Sequence, residues 1–323
     1  MKRRNALSLI ACGLMAAFAP LSYANDVKSV GVTAIVDHPA LDDVRKGVED
    51  ELKAQGFVPG KNLKYQFQSA QGNTATAGQI ARKFVGDKVD AIVAIATPSA
   101  QAAVAASRGA TPVVFAAVTD PVAAKLVKSW NAGNGNVTGV SDKLAIPPQV
   151  DLILKVKPGV KKVGMVYSPG EVNSVMVAKE LKAELGRRGM TLVEAPAPRT
   201  VDVGPAAKSL VGKVDALYTS TDNNVVSTYE SLANVANVSR IPLIASDTDS
   251  VERGAIAALG QSYYDMGRQT GKIVVRILKG EKTNSIAPQL GEKLSLVVNQ
   301  TSAQKQGAPL SDALKQEAKT VLK

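Results

Sequence analysis

The feature that most constrains this chain is an internal repeat the size of a domain. Near the N-terminus Val30-Gly31 opens an apolar run, and a helical stretch then ends at Gln55-Gly56. A strand and a helix follow, and Phe84-Val85-Gly86-Asp87-Lys88-Val89-Asp90-Ala91 leads into another strand. The same order returns at Val163-Gly164, at Arg188-Gly189 and at Leu210-Val211-Gly212-Lys213-Val214-Asp215-Ala216. Each copy continues through a strand and a helix to an X-Pro-apolar strand, Thr111-Pro112-Val113 in the first and Ile241-Pro242-Leu243 in the second. The copies lie about 125–133 positions apart. That spacing is too long for a solenoid repeat and fits two similar lobes joined in tandem.

Within each copy two periodicities alternate. Short β-branched runs occupy 29–36, 63–68, 91–96, 113–118, 163–167, 191–194, 216–219, 243–245 and 255–259. Between them lie amphipathic stretches. Val44, Val48 and Leu52 fall on one face of 43–55, and Val177, Leu181 and Leu185 do the same in 175–188. A short amphipathic helix is also expected over 311–323. Strands alternating with helices of this length predict an α/β fold of two doubly wound, parallel-sheet lobes. Ligands of such sheets bind beyond the carboxyl ends of the strands, where helix N-termini present backbone N–H groups. Two lobes facing each other on that side enclose a cleft.

The ends of the chain and its charge narrow the setting. Met1-Lys2-Arg3-Arg4-Asn5, the apolar run 6–19 and the small residues Ser22 and Ala24 read as a secretory signal peptide spanning 1–24, which predicts a periplasmic protein. Leu9-Ile10-Ala11-Cys12 also resembles a lipoprotein cleavage box, so a lipid anchor on Cys12 is the alternative. Cys12 is the one cysteine, so a chain cleaved after Ala24 has no disulfide and depends on its hydrophobic core. The formal charge is +11, with three of the positive residues inside the leader. The remaining cations are dispersed among acids, and aromatics make up only 4% of the chain. A nucleic-acid partner requires a concentrated basic patch and is not expected.

Six loops at the predicted cleft are rich in hydrogen-bonding groups. Asp37 and His38 come from the first, Thr97, Ser99 and Gln101 from the second, and Thr119 and Asp120 from the third. The other lobe offers Glu171, Asn173 and Ser174, then Asp222 and Asn223, then Asp247. Taken singly, such residues are ordinary helix caps; converging on one cleft, they make a polar small-molecule site. Tyr264 completes the candidate set as an aromatic near the cleft. Catalytic chemistry is poorly supplied. His38 is the only histidine, no Gly-x-Ser-x-Gly elbow accompanies it, and zinc sites draw on several His or Cys ligands. The segment 267–273 has the wrong spacing for a phosphate loop and lacks its Ser/Thr, and 133–139 misses the dinucleotide spacing. No cofactor, no metal and no enzymatic activity are expected.

An ordered series of segments runs the length of the chain: Asp37-His38-Pro39-Ala40-Leu41-Asp42, Ala96-Thr97-Pro98-Ser99-Ala100-Gln101, Val118-Thr119-Asp120-Pro121-Val122 and Asn136-Val137-Thr138-Gly139-Val140-Ser141-Asp142. Ser168-Pro169-Gly170-Glu171-Val172-Asn173-Ser174, Val214-Asp215-Ala216-Leu217-Tyr218 and Thr221-Asp222-Asn223 complete it. The series resembles the ABC-transporter substrate-binding protein family that includes the tryptophan/tyrosine-type binding proteins. Asp37 stands where that pattern has Glu. The resemblance implies a type I periplasmic-binding-protein fold, with three segments crossing between the lobes near 142–146, 260–262 and 286–289. Lobe 1 would then comprise 25–142 plus about 262–286, and lobe 2 would comprise 143–261 plus about 287–323.

It further implies a monomer that closes on an amino-acid-like ligand and delivers it to ABC permease subunits. The ligand's carboxylate is expected at the helix starts carrying Thr97 and Ser99 or Asn173 and Ser174. Its ammonium is expected at Asp222 or Glu171. The rival readings are a secreted hydrolase using Glu171, Asp222 and Asp247, and a ligand-sensing domain for a signalling partner.

Overall fold

The computed structural model describes residues 27–323. The leader 1–24 and Cys12 therefore fall outside the described residues. In chain order the first lobe begins β1 (Lys28–Ala34), α1 (Pro39–Ala54), β2 (Leu63–Ser69), α2 (Thr74–Gly86), β3 (Ala91–Ile95), α3 (Thr97–Ser107), β4 (Val113–Ala116) and β5 (Val137–Ser141). The chain then builds α4 (Ile146–Val156), β6 (Lys162–Tyr167), α5 (Val172–Arg187), β7 (Thr191–Pro196), α6 (Val203–Ser209), β8 (Ala216–Thr219), α7 (Asn223–Ser227), α8 (Tyr229–Ser239), β9 (Leu243–Ala245), α9 (Asp249–Glu252) and β10 (Ala257–Gln261). It closes with α10 (Tyr263–Leu278), β11 (Gln289–Leu290), β12 (Leu294–Asn299), α11 (Gln300–Lys305), α12 (Asp312–Glu317) and β13 (Thr320–Leu322).

These strands form two sheets, ordered β11-β5-β4-β3-β1-β2 and β13-β12-β10-β9-β8-β6-β7. The first is parallel throughout; in the second, β12 runs antiparallel to β10. Central strands such as β3 (AIVAI) and β4 (VVFA) are buried along their whole length, as strands covered on both faces must be. One core cluster spans β1 to β5 and takes in Met266, Ile273, Val274 and Ile286; two others fill the second lobe.

α10 lies on α1, some two hundred residues away in sequence, and glycine sets how closely they pack. A Cβ on Gly267 would stand 2.2 Å from the Val44 carbonyl oxygen, and one on Gly47 2.3 Å from that of Tyr264. Only glycine permits that approach. The buried Glu51 carboxylate is met by Arg268 of α10 at 2.8 Å. β11 still pairs with β5, so the third crossing follows Leu290, a little beyond the expected 286–289. At the first crossing Lys143 Nζ lies 3.0 Å from Asp120 and 3.1 Å from Glu180 of α5, bridging the lobes.

One expectation fails at the C-terminus. The helix expected over 311–323 stops at Glu317, and Thr320–Leu322 pairs with β12 as a strand. Val321 packs against the second lobe's core, and a β-branched residue on a sheet edge makes that contact better than another helical turn would.

Candidate functional site

Between the two sets of strand ends lies a cavity whose free space, with the lobes in this arrangement, is only about 20 Å³. Its first-lobe wall is His38, Ala40, Leu41, Ala96, Thr97, Ala117 and Thr119, and its second-lobe wall includes Asn173, Thr221, Asn223, Val226 and Asp247. Asp142 and Tyr263, which flank two of the crossings, complete it.

The first-lobe wall is backbone held under strain. Ala96 ends β3 at φ 72°, ψ 156°, a region almost reserved for glycine, and Ala117 ends β4 at φ 53°. The conformation at Ala96 turns the chain directly into α3, whose N-terminus has no side-chain cap. Ser99, in that first turn, is fully buried, and its hydroxyl has no partner. α1 begins differently: His38 Nδ1 accepts from Ala40 N–H at 3.2 Å, leaving His38 Nε2 buried without a partner. Burial lowers the His38 pKa, against the opposing charge of Asp247, so the ring is neutral.

The second-lobe wall is held by side chains. Asp222 is wholly buried and caps α7; it accepts from Ser168 N–H (2.6 Å), Ser168 Oγ (2.9 Å), Ser174 Oγ (2.6 Å) and Val225 N–H (3.0 Å). Glu171 accepts from Asn173 Nδ2 (3.0 Å), Asn223 N–H (3.2 Å) and Asn223 Nδ2 (2.7 Å). Burial first, then the charge of Asp222, pushes Glu171 up to about 7. With its amide nitrogen held by Glu171, the Thr221 carbonyl and Ser174, Asn173 keeps Oδ1 buried and unpartnered. Asp247 accepts from Ser250 N–H and Oγ, both at 2.8 Å.

Asp142 carries the least compensated charge. Its Oδ2 accepts from Tyr263 OH at 3.1 Å and Thr221 Oγ1 at 3.5 Å, whereas Oδ1 has no partner. Burial raises its pKa, and hydrogen bonds from Tyr263, Thr119 and Thr221 pull the other way.

His38, Thr97, Thr119, Asn173, Asn223 and Asp247 thus meet in one cavity. The other sequence candidates stand elsewhere. Asp37 lines an outer crevice with Gln71 and Asn224. Ser99 lies behind Thr97 and outside the lining. Gln101 donates to the Ala124 carbonyl, and Asp120 accepts from Val122 and Ala123 N–H and from Lys143. Ser174, Asp222 and Glu171 are tied up among the second lobe's own loops. The Asp222 carboxylate is occupied by Ser168, Ser174 and the start of α7, and the three bonds to Glu171 all end on Oε2, outside the cavity lining. Tyr264 points away from the cleft: its hydroxyl donates to Asp50 and its ring lies 5.3 Å below Lys46 Nζ. Its neighbour Tyr263 enters the cavity instead, as successive helical positions face about 100° apart. Asp142, Thr221, Leu41 and Val226 were not among the sequence candidates. Asp142 could have been found, since it ends one of the segments that carry the resemblance.

Among the described residues no group of three His, Cys, Asp or Glu side chains is placed to hold a metal ion. No helix among them is long and apolar enough to cross a membrane.

The profile of the family described as "ABC transporter substrate binding protein" matches residues 29–322. A tyrosine-binding protein of Clostridioides difficile (strain R20291) is 39% identical over 273 residues, covering 84% of this chain and 79% of that protein. The crystal structure of an ABC domain in complex with L-Trp from Streptococcus pneumoniae is 33% identical, with a TM-score of 0.87, covering 91% of this chain and 99% of that one. A ligand-free, open substrate binding protein with adhesive properties from Clostridium difficile is 36% identical, yet its TM-score is 0.70, over 92% of this chain and 99% of that one.

Proposed function

Because the chain belongs to the ABC transporter substrate-binding protein family, we propose that it is the exported receptor of an importer whose ligand is an aromatic amino acid. The observation that carries the ligand class is a pair of buried acceptors, Asp142 Oδ1 and Asn173 Oδ1, both unpartnered and on the wall of the interlobe cavity. An α-ammonium has three donors and a positive charge, which is what a buried, uncompensated carboxylate beside an amide oxygen lacks. The uncapped start of α3, where Thr97 lines the cavity, suits the α-carboxylate. The relatives named for tyrosine and for L-Trp point to an aromatic side chain, and Leu41, Val226, Ala96, Ala117 and Tyr263 offer it an apolar bed.

In this reading the protein binds and releases its ligand unchanged. Glu171 and Asp222, which a hydrolase would need free, hold loops together. Ligand touching both walls favours the closed arrangement by its differential affinity for it. The closed protein, acting as a monomer in the periplasm, then delivers the ligand to ABC permease subunits. Calorimetric titration with L-tyrosine and L-tryptophan tests the assignment, with tyramine as the analogue lacking the carboxylate. Asp142→Asn is expected to weaken amino-acid binding at least about tenfold, the equivalent of one charge-assisted hydrogen bond. Affinity should also fall as pH drops through the raised pKa of Asp142, because the ammonium needs the ionised form. No heat with any aromatic amino acid, or unchanged affinity in Asp142→Asn, overturns the reading.

A further inference from the structure

We propose that His38 selects a hydroxylated ring, so that the receptor takes a phenolic amino acid in preference to one bearing an indole or a plain phenyl group. This rests on the amino-acid reading above and concerns the same cavity. His38 is 4% exposed and lines the cavity. Its Nδ1 accepts from the Ala40 N–H, so a neutral ring must carry its proton on Nε2. Nε2–H is therefore a buried donor, fixed in direction by the cap on α1, with no acceptor among the described residues. A ligand that fills the cavity has to bring the acceptor or leave that donor stranded.

The surrounding charges decide which acceptor fits. The ring feels Asp247, Arg253, Glu230 and Asp42. Arg253 is held by Glu230 at 2.7 Å, and Asp42 by Arg45 at 3.3 Å. Asp247, on the second-lobe wall of the same cavity, has no cationic partner among the described residues. A ligand carboxylate placed here would face that charge and be repelled. A neutral hydroxyl oxygen instead accepts from His38 Nε2–H and donates its own proton to Asp247, which retains lone pairs beyond the two occupied by Ser250. An indole N–H is a donor only: it can meet Asp247 but leaves His38 Nε2–H without an acceptor. A phenyl ring leaves His38 Nε2–H without an acceptor. Sites that hydrogen-bond a substrate hydroxyl reject the analogue lacking it far more strongly than apolar pockets reject a missing methylene.

The experiment is titration of the mature protein with L-tyrosine, L-phenylalanine and L-tryptophan, on the wild type and on His38→Asn. Asparagine is a favoured N-cap and keeps α1 capped, but its amide does not extend to the position of Nε2. The wild type is expected to prefer tyrosine at least about tenfold over both others, and His38→Asn to bring the three within about threefold of one another. A wild type that binds phenylalanine or tryptophan as tightly as tyrosine overturns the inference, as does a variant that keeps the preference. If the wild type binds none of the three, the amino-acid reading itself falls. Should the variant fail to fold, the wild-type ranking alone decides.

Discussion

The two lobes descend from one sequence pattern, yet they build their halves of the cleft by opposite means. The first lobe presents strained backbone and unsatisfied groups: Ala96 and Ala117 at positive φ, the bare start of α3, Ser99 Oγ and His38 Nε2. The second binds its loops to one another through carboxylates, Asp222 gathering two serines and a helix start, and Glu171 gathering two asparagines. Rigidity is reached in one lobe by close packing that leaves no alternative, and in the other by a saturated hydrogen-bond network. A single substitution should therefore read differently according to the lobe it falls in.

The sharpest break is expected in the second lobe. Asp222→Ala removes the acceptor of four buried hydrogen bonds and should destabilise the protein by at least about 3 kcal/mol in denaturant unfolding. A loss below 1 kcal/mol would mean that the network does not hold the loops. In the first lobe it is addition that should hurt. Gly267→Ala drives a methyl group into the Val44 carbonyl and should cost about 1–3 kcal/mol by the same measurement. Relief of strain should have the contrary sign: Ala96→Gly is expected to gain about 1 kcal/mol after allowing for the freedom glycine adds to the unfolded chain. Destabilisation by that change would refute the strained first-lobe wall.

The smallest effect concerns the mouth of the cleft. Asp249 is pushed up to about 7 by burial and then by Asp247, Asp43 and Glu252, with Asp43 on the opposite lobe. A carboxyl whose folded pKa is raised contributes most when protonated. Its contribution is full below about 3.8, the ordinary aspartate value, and is lost as pH rises through about 7. The melting temperature of the ligand-free protein should thus decline across pH 5–8, and Asp249→Asn should flatten the decline. An identical slope in the variant would remove Asp249 from the explanation.

Periodicity made the sheet-and-helix order legible, because apolar positions in 43–55 and 175–188 mark helix faces and the β-branched runs coincide with β1 to β4 and β6 to β10. β5 was not in that set: Val137–Ser141 is half small or polar, and only its place between β4 and β11 makes it a strand. In the site, sequence located the loops but not which residue of each turns inward. Asp222 and Asn223 are adjacent, and the carboxylate of the first is used as a cap while the second reaches the cavity. Tyr263 and Tyr264 divide in the same way. The identity of an inward-facing residue depends on rotamer and helix phase, which composition does not encode. Asp142 stayed hidden because its role arises where a strand meets a crossing.

The glycine seam between α1 and α10 also sets a timetable. α1 is made early, but the helix that covers it ends at Leu278, and the last strand of its sheet lies at Gln289–Leu290. The second sheet is completed only by Thr320–Leu322. Neither lobe exists as a contiguous fragment, so no proteolytic cut yields one intact. The chain therefore remains without a finished core until nearly all of it has been synthesised.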